Sequence, residues 1–359
     1  MPTIELENLS KTFIDDDGSR IRAVQNIDLH IEEGEFFTLL GPSGCGKTTI
    51  LRMLAGFENP TAGTIRVGGE DITDLPANRR DIGIVFQNYA LFPHMSVFEN
   101  IAYGLRVQNL SEPEIEARVE ELLAMLQMEG YGDRKPSALS GGQQQRIAVA
   151  RSLAPSPKIL LMDEPLSNLD AKLREDTREQ LISLHRELGI IIVYVTHDQD
   201  EALAISDRIM VLNNGIKQEV GTPFELYEKP TTTFVAEFLG NTNLLRGKKV
   251  ASGRFRTGAG NELNFVENPL NLERGTLTIK PEDVLINPDT DDIDKENIFP
   301  AEVEVAQYLG ERINFQLKLA GGDVVKAHEV PDRNLINLER GDDVKVGLPA
   351  RDLRLIECE

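Results

Sequence analysis

The stretch Gly41-Pro-Ser-Gly-Cys-Gly-Lys-Thr48 constrains this chain more than any other. It follows an apolar, strand-like run, Glu35-Phe-Phe-Thr-Leu-Leu40, and leads into a helix-like segment from Thr48 to Ala55. Glycines in such a turn leave backbone N–H groups uncovered, so they can wrap phosphate oxygens, and the helix N-terminus adds its partial positive charge. The pattern G-x-x-x-x-G-K-[ST] in that context predicts a nucleotide-phosphate cradle over Gly41, Pro42, Ser43, Gly44, Cys45, Gly46, Lys47, Thr48 and Thr49. Lys47 would reach the β- and γ-phosphates, and Thr48 would hold Mg²⁺. An ordinary glycine turn is the alternative, and the strand-to-helix context argues against it.

A second half of such a site lies further on. Pro157-Lys-Ile-Leu-Leu-Met-Asp-Glu164 is an apolar run ending in two carboxylates. As a strand of a parallel sheet it puts that charge at the C-terminal edge, where ligands of such sheets bind. Asp163 would act on Mg²⁺ through water, and Glu164 would orient or polarise the attacking water. Gln87, ending Ile82-Gly-Ile-Val-Phe-Gln, can touch both metal and water, and His197, ending Ile191-Ile-Val-Tyr-Val-Thr-His, can contact the γ-phosphate. Alone, each is an ordinary polar residue at a strand end; together they point to nucleotide hydrolysis.

The pattern predicts the sheet this requires. Strand and helix alternate through Lys158 to Met162, a helix from Leu169 to Leu188, Ile190 to Val195, a helix from Gln199 to Ile205, and Asp207 to Leu212. Such alternation means a parallel sheet flanked by helices. Ahead of the phosphate loop the chain reads as short strands with polar turns, among them Ile4 to Glu7 and Ile27 to Ile31. A mostly helical insert is expected from Asn88 to Ala154. Within it Ser111-Glu-Pro-Glu114 opens an amphipathic helix with an apolar stripe of Ile115, Val119, Leu122, Leu123 and Leu126. Beyond about Gly240 come short strands and turns, including Leu277 to Ile279, Val303 to Val305 and Asn314 to Leu319, which predict a small all-β barrel or sandwich. A chain of 359 residues suits two domains, here 1–238 and 239–359. The acidic run Asp289 to Asp294 reads as a solvated loop.

Charge and cysteine content narrow the roles. A formal charge of −21 repels nucleic acid and anionic lipid at long range, so no nucleic-acid partner is expected. Met1 to Glu7 has no basic stretch followed by an apolar one, and the longest apolar runs are strand-sized. Neither a secretion signal nor a membrane span is therefore expected. Cys45 and Cys358 form no disulfide framework and the five histidines show no metal-ligand spacing, which fits a reducing cytosol. Cys45 lies near Lys47 and a helix N-terminus, surroundings that lower a thiol pKa. A thiol reagent is expected to modify it, and ATP to protect it.

Leu139-Ser-Gly-Gly-Gln-Gln-Gln-Arg146 has the glycines of a phosphate cradle and a probable helix behind it, yet no lysine. A helix N-terminus attracts phosphate even so. Taken in order, Gly41 to Thr48, Gln87, Leu139 to Gln143, Ile159 to Glu164, Ser167-Asn-Leu-Asp170 and His197 resemble the motif set of ABC transporter ATPase subunits, over residues 1–238. The resemblance implies an α/β fold of the P-loop NTPase type with a helical subdomain, followed by a small all-β, OB-like domain. In that family the serine-glycine loop binds the γ-phosphate of ATP held by the opposite subunit. Ser140, Gly141, Gly142 and Gln143 would then complete a partner's site, and a two-fold homodimer would hold two ATP. Asp170 falls in the loop that crosses the dimer interface, where this chain has Asn168 at a position frequently alanine. Phe13 aligns with an adenine-stacking aromatic, more often tyrosine; stacking needs only a ring face. The alternative for Phe13 is a core strand aromatic.

The resemblance also implies partners. Tyr89 to Met95 corresponds to a groove that receives a coupling helix of a membrane permease. This would place the chain on the cytoplasmic face of the plasma membrane, with an extracytoplasmic solute-binding protein in the complex. Val220 to Pro230 and Phe234 to Gly240, followed by a β domain, are similar to importer ATPases for polyamines, ferric iron, phosphonates or oligosaccharides, whose last domain often carries regulation and extra dimer contacts. Ile279-Lys-Pro-Glu282 resembles their Arg-Pro-Glu element, with lysine replacing the planar arginine fork. Phe57-Glu-Asn-Pro60, Asp71-Ile-Thr73 and Tyr89 to Asn100 look closest to the polyamine branch. The expectation is an ATP- and Mg²⁺-dependent transport ATPase, with polyamine as cargo and the other three cargoes as alternatives. A soluble ABC ATPase of DNA repair or chromosome organisation would insert a long coiled coil between Thr48 and Leu139, where no sustained heptads occur. A non-enzymatic binding module would not need Lys47, Glu164 and His197.

Overall fold

The computed structural model describes residues 3–15, 17–267, 272–288, 297–333 and 335–357; the Asp289 to Asp294 run and Cys358 lie outside them. The chain divides into two compact units, residues 1–223 and 224–359. The division falls one residue into a short helix, Pro223–Glu228, upstream of the boundary at 238 that the sequence suggests.

In the first unit, β1 (Ile4–Ile14), β2 (Arg20–Ile31), β3 (Phe36–Leu40), α1 (Lys47–Ala55), β4 (Ala62–Val67), β5 (Glu70–Asp71) and β6 (Ile82–Val85) come first. The helices α2 (Val97–Val107), α3 (Glu112–Met125) and α4 (Gly141–Leu153) follow, then β7 (Ile159–Asp163), α5 (Ala171–Leu188), β8 (Ile191–Thr196), α6 (Gln199–Ile205), β9 (Arg208–Asn213) and β10 (Ile216–Gly221). One sheet has the order β10-β9-β3-β8-β7-β6, parallel throughout except for the β10–β9 pair. All five residues of β3 are buried, as expected of a central strand covered on both faces.

The period of two divides those strands between two cores. Phe36, Leu160, Met162, Ile192 and Tyr194 pack with α2, α3 and α4, while Phe37, Leu39, Leu161, Val193 and Val195 pack with α1 and the antiparallel sheet β2-β1-β4-β5. The predicted stripe Ile115, Val119, Leu122, Leu123 and Leu126 is buried in the first of these cores. Glu114 fixes the start of α3 by accepting from the Ser111 N–H at 2.9 Å and its hydroxyl at 2.7 Å. The short N-terminal strands are longer than expected. β1 and β2 run on through register shifts, with Asn8 and Asn26 in the left-handed region, so polar residues that read as turns are bulges.

The second unit holds α7 (Pro223–Glu228), α8 (Thr233–Gly240), β11 (Asn243–Ala251), β12 (Arg254–Thr257), β13 (Glu262–Asn264), β14 (Arg274–Ile279), β15 (Leu285–Ile286), β16 (Ile298–Tyr308), β17 (Ile313–Leu319), β18 (Val324–Glu329), β19 (Asp343–Gly347) and β20 (Arg354–Ile356). Two five-stranded sheets, β13-β12-β11-β14-β20 and β15-β19-β16-β17-β18, share one core around Phe255, Leu277, Phe315 and Leu317. Lys280 and its neighbours bind α7 to this body. The lysine pairs with Glu228 at 2.8 Å, and Tyr227 donates to Glu282 at 2.7 Å. Lys280 has one close partner, with Glu282 and Asp283 at 3.9 Å, as a point charge rather than a fork would.

Candidate functional site

The order β3-β8-β7-β6 brings the phosphate loop, the His197 turn, the Asp163–Glu164 pair and Gln87 to the same edge of the sheet. These are the carboxyl ends of parallel strands, where a crevice for ligands forms. The loop can be built only with glycine at its narrow points. A methyl group on Gly41 would stand 2.2 Å from the Leu212 carbonyl oxygen, and one on Gly46, whose φ is +105°, 2.3 Å from that of Ala23. Lys47 opens α1 and is buried, its ammonium donating to the carbonyls of Gly41 at 2.7 Å and Pro42 at 2.9 Å.

Thr48, next in the helix, donates its hydroxyl to Asp163 at 3.1 Å. Burial pushes the Asp163 carboxyl upward from the ordinary aspartate value; the Thr48 hydrogen bond opposes this and the Glu164 charge adds to it. Glu164 leaves β7 with φ of +44°, a left-handed conformation that costs a non-glycine residue about 1–2 kcal/mol. Its N–H donates to the Val195 carbonyl at 3.0 Å. The bend carries its carboxylate to 3.2 Å from His197 Nδ1, and the same oxygen accepts from Gln87 Nε2 at 3.4 Å. Gln87 also donates to Ser167 Oγ at 3.3 Å, and its carbonyl accepts from Asn168 Nδ2 at 2.9 Å. Asp170 caps α5 by accepting from the Leu173 N–H at 3.0 Å.

Lys47, Thr48, Asp163, Glu164, Gln87, Ser167 and His197 are thus linked within one chain. The second glycine stretch is not joined to them. Ser140 and Gln143 form a reciprocal cap on α4, at 3.0 and 3.4 Å, and Gln143 donates to the Tyr131 hydroxyl at 3.2 Å. None of these bonds reaches the phosphate loop, and Ser140 and Gly141 are exposed. Phe13 is 37% exposed with the Lys11 ammonium 5.0 Å from its ring centroid, so it is not a core aromatic.

The lowered thiol pKa expected of Cys45 is overturned. The thiol is 3% exposed, and burial pushes its pKa up; Lys47, whose ammonium is 3.7 Å from the sulfur, only partly offsets this. Sequence shows the nearby charge, whereas desolvation depends on the Cys side chain pointing inward.

Tyr89 to Met95 is clamped from two helices. Tyr89 and Ala90 both have positive φ, and Arg151 of α4 donates to their carbonyls at 3.1 and 2.7 Å. The fully buried Asn100 of α2 accepts from the Phe92 N–H at 2.8 Å and donates to the Ser96 carbonyl at 2.9 Å. Sequence reasoning missed Arg151 and Asn100, because neither belongs to a local pattern that announces a distant carbonyl. Among the described residues no helix is long and apolar enough to cross a membrane.

Comparison with known proteins gives the same picture. The ABC transporter family model matches residues 24–167, and the TOBE domain model matches residues 277–356. Relatives include the Spermidine/putrescine import ATP-binding protein PotA of Rubrobacter xylanophilus, 45% identical over 97% of this chain and 92% of that protein, and its namesake in Thermotoga maritima, 42% identical over 93% and 91%. Among solved structures, the ATP-binding cassette MJ0796, dimeric, in a post-hydrolysis state and bound to ADP and Pi, is 36% identical over 61% of this chain and 98% of that one, with a TM-score of 0.56. Similarity of this extent covers both units, and the strand-edge constellation supplies the parts that ATP hydrolysis calls for. The chain belongs to the family of ABC transporter ATP-binding proteins and is an ATPase of that family.

Proposed function

We propose that this chain is the ATPase of a polyamine importer, closing as a homodimer around two ATP to drive a membrane permease. The observation that carries the reading is the split of glycine stretches. One sits in the Lys47–Glu164–His197 constellation, and the other caps an exposed helix start with no bond to it. An N-terminus of that kind attracts phosphate, and a two-fold operation would place it over a second copy's phosphate loop. The names of the relatives support the cargo, since those proteins match this chain over both of its units.

Within the site, Lys47 and the backbone N–H groups of 42–48 hold phosphate oxygens, and Phe13 offers a ring face to the base. Thr48 and Asp163 are hard oxygen donors 3.1 Å apart, the kind Mg²⁺ takes, and Gln87 lies at the same edge. A Mg²⁺ held by these residues would supply positive charge to offset the charge developing on the phosphates. Glu164 orients the attacking water, with His197 and Gln87 both holding one oxygen of its carboxylate. Ser140, Gly141, Gly142 and Gln143 act on the partner's ATP, and Asp170 lies at the interface. The clamped Tyr89 to Met95 segment is the permease dock, next in sequence to Gln87, so closure at the nucleotide moves it. The chain is then peripheral to the cytoplasmic side of the membrane, in a complex that includes an extracytoplasmic solute-binding protein.

The test is transport by the complete complex. The chain is expressed with permease and solute-binding subunits of a polyamine importer, reconstituted in proteoliposomes, and given labelled spermidine or putrescine. ATP-dependent uptake is expected. Uptake of ferric iron, phosphonate or oligosaccharide without polyamine would overturn the cargo, and uptake without ATP hydrolysis would overturn the mechanism.

A further inference from the structure

Behind the site, two of its turns are held by one side chain. Arg174 stands one helical turn after Asp170 on α5. Its guanidinium donates to the Leu169 carbonyl at 3.2 Å, pairs with Asp198 at 3.3 Å and lies 3.6 Å from Glu201. Leu169 adjoins Asp170, and Asp198 adjoins His197. Glu201 is 4% exposed, and its other oxygen accepts from the Tyr194 hydroxyl at 3.0 Å and the Thr196 hydroxyl at 2.8 Å. Thr196 precedes His197, and its hydroxyl oxygen accepts from the Asp198 N–H at 3.0 Å. Both neighbours of His197 are therefore bonded into one network, and the guanidinium at its end grips the backbone beside Asp170.

We propose that Arg174 is a positioning residue that couples the Asp170 segment to His197, so that contact made by that segment on a second copy sets the placement of His197 against the Glu164 carboxylate. A guanidinium is planar and its donors are fixed relative to one another, so it cannot follow one partner without shifting on the others. A lysine at the same place would keep the charge and lose that constraint. The network is partly buried, and Arg174 Nε, 3.6 Å from Glu201, has no hydrogen bond of its own, so the guanidinium is held by its Leu169 and Asp198 contacts and by the Glu201 charge. No side-chain bond in it reaches residues 41–48, so nucleotide capture should not depend on it. The inference rests on the roles given above to His197 and Asp170.

The test compares the full-length wild type with R174Q, R174K, D198N, H197A and R174Q/H197A. Hydrolysis is measured under multiple and single turnover, ATP affinity with a fluorescent ATP analogue, and folding by thermal melting. R174Q is expected to lower kcat about thirtyfold, within the range of coupling for contacting residues, with analogue affinity changed less than about threefold. R174K should recover little of the loss. D198N, which keeps an amide able to cap α6, should fall in the same direction and stands in for R174Q if that variant does not fold. In the H197A background R174Q should add less than about threefold, since residues acting as a unit are non-additive. A wild-type kcat for R174Q and D198N, an equal loss in both backgrounds, or full rescue by lysine would overturn the coupling. A wild-type rate for H197A would instead overturn the role of His197, and the coupling with it.

Discussion

The two glycine stretches of the first unit precede helices in the same way but need their glycines for different reasons. At Gly41 and Gly46 the chain's own backbone forbids a side chain, with carbonyl oxygens 2.2 and 2.3 Å from where a methyl would stand. At Gly141 and Gly142 the nearest atoms are leucine side chains, Leu169 at 3.3 Å and Leu173 at 3.0 Å, which can shift, and both glycines lie in the first turn of a helix that would accept alanine. The first loop is shaped by what it packs against. The second meets only side chains, with Gly142 buried and Ser140 and Gly141 exposed, and among the described residues no side-chain hydrogen bond joins Ser140 or Gln143 to the phosphate loop. The difference is what a site shared between two copies requires.

The largest effect should come from removing the lysine that only one loop has. Lys47→Ala is expected to lower ATP hydrolysis about 10³-fold, comparable to losing a main stabiliser of transition-state charge, with the fold retained by circular dichroism. Near-normal turnover would mean that the lysine-free loop supplies the charge unaided, and the contrast between the loops would collapse. Glu164→Gln comes next, at about 10²–10³-fold, the range for a lost general base. Since this variant keeps Lys47 and Ser140, ATP should still join two copies, and light scattering should detect an ATP-bound dimer. Normal hydrolysis by Glu164→Gln would remove Glu164 from its role.

A paired substitution addresses the comparison directly. Gly46→Ala forces a side chain into a left-handed backbone and against the Ala23 carbonyl, and should cost about 1–3 kcal/mol of stability as well as monomeric ATP binding. Gly141→Ala should change stability by about 0.5 kcal/mol or less, or stabilise slightly through better helix propensity. It should leave monomeric ATP binding intact, yet slow hydrolysis, because the proposed dimer would bring a partner's phosphate to this helix start. Chemical denaturation and nucleotide titration separate the two; equal losses of stability would break the distinction.

How much of this was legible in sequence depended on whether the cause was local. The phosphate loop, the Asp163–Glu164 strand end and the α6 boundaries could be read because glycine spacing, strand patterning and capping act within a few residues. The long β1–β2 hairpin was not, because Asn8 and Asn26 in left-handed bulges look like turn residues. The network of Arg174 was also invisible, joining residues up to 27 positions apart through bonds that only the folded sheet creates. Cys45 failed for a third reason. Its charged neighbours were correctly placed, but the sign of its pKa shift was set by burial.

Cys45 gives the finest test of the contrast. Buried between the glycines, with its thiol pKa raised by desolvation, it should react with a maleimide at least about tenfold more slowly than the same thiol in the denatured chain. The rate should climb with pH only above the ordinary thiol range, because the thiolate reacts. A cysteine introduced as Ser140→Cys should behave oppositely, since Ser140 is exposed at its helix start. Its loss of a cap costs about 1 kcal/mol, small enough to keep the chain folded. Labelling is located by mass spectrometry so that Cys358 is counted separately. In a Glu164→Gln background, ATP should protect Ser140→Cys through the partner's bound nucleotide, with protection growing as protein concentration rises. Protection independent of concentration would mean that the second loop meets ATP within its own chain, and the two glycine stretches would no longer belong to a shared site.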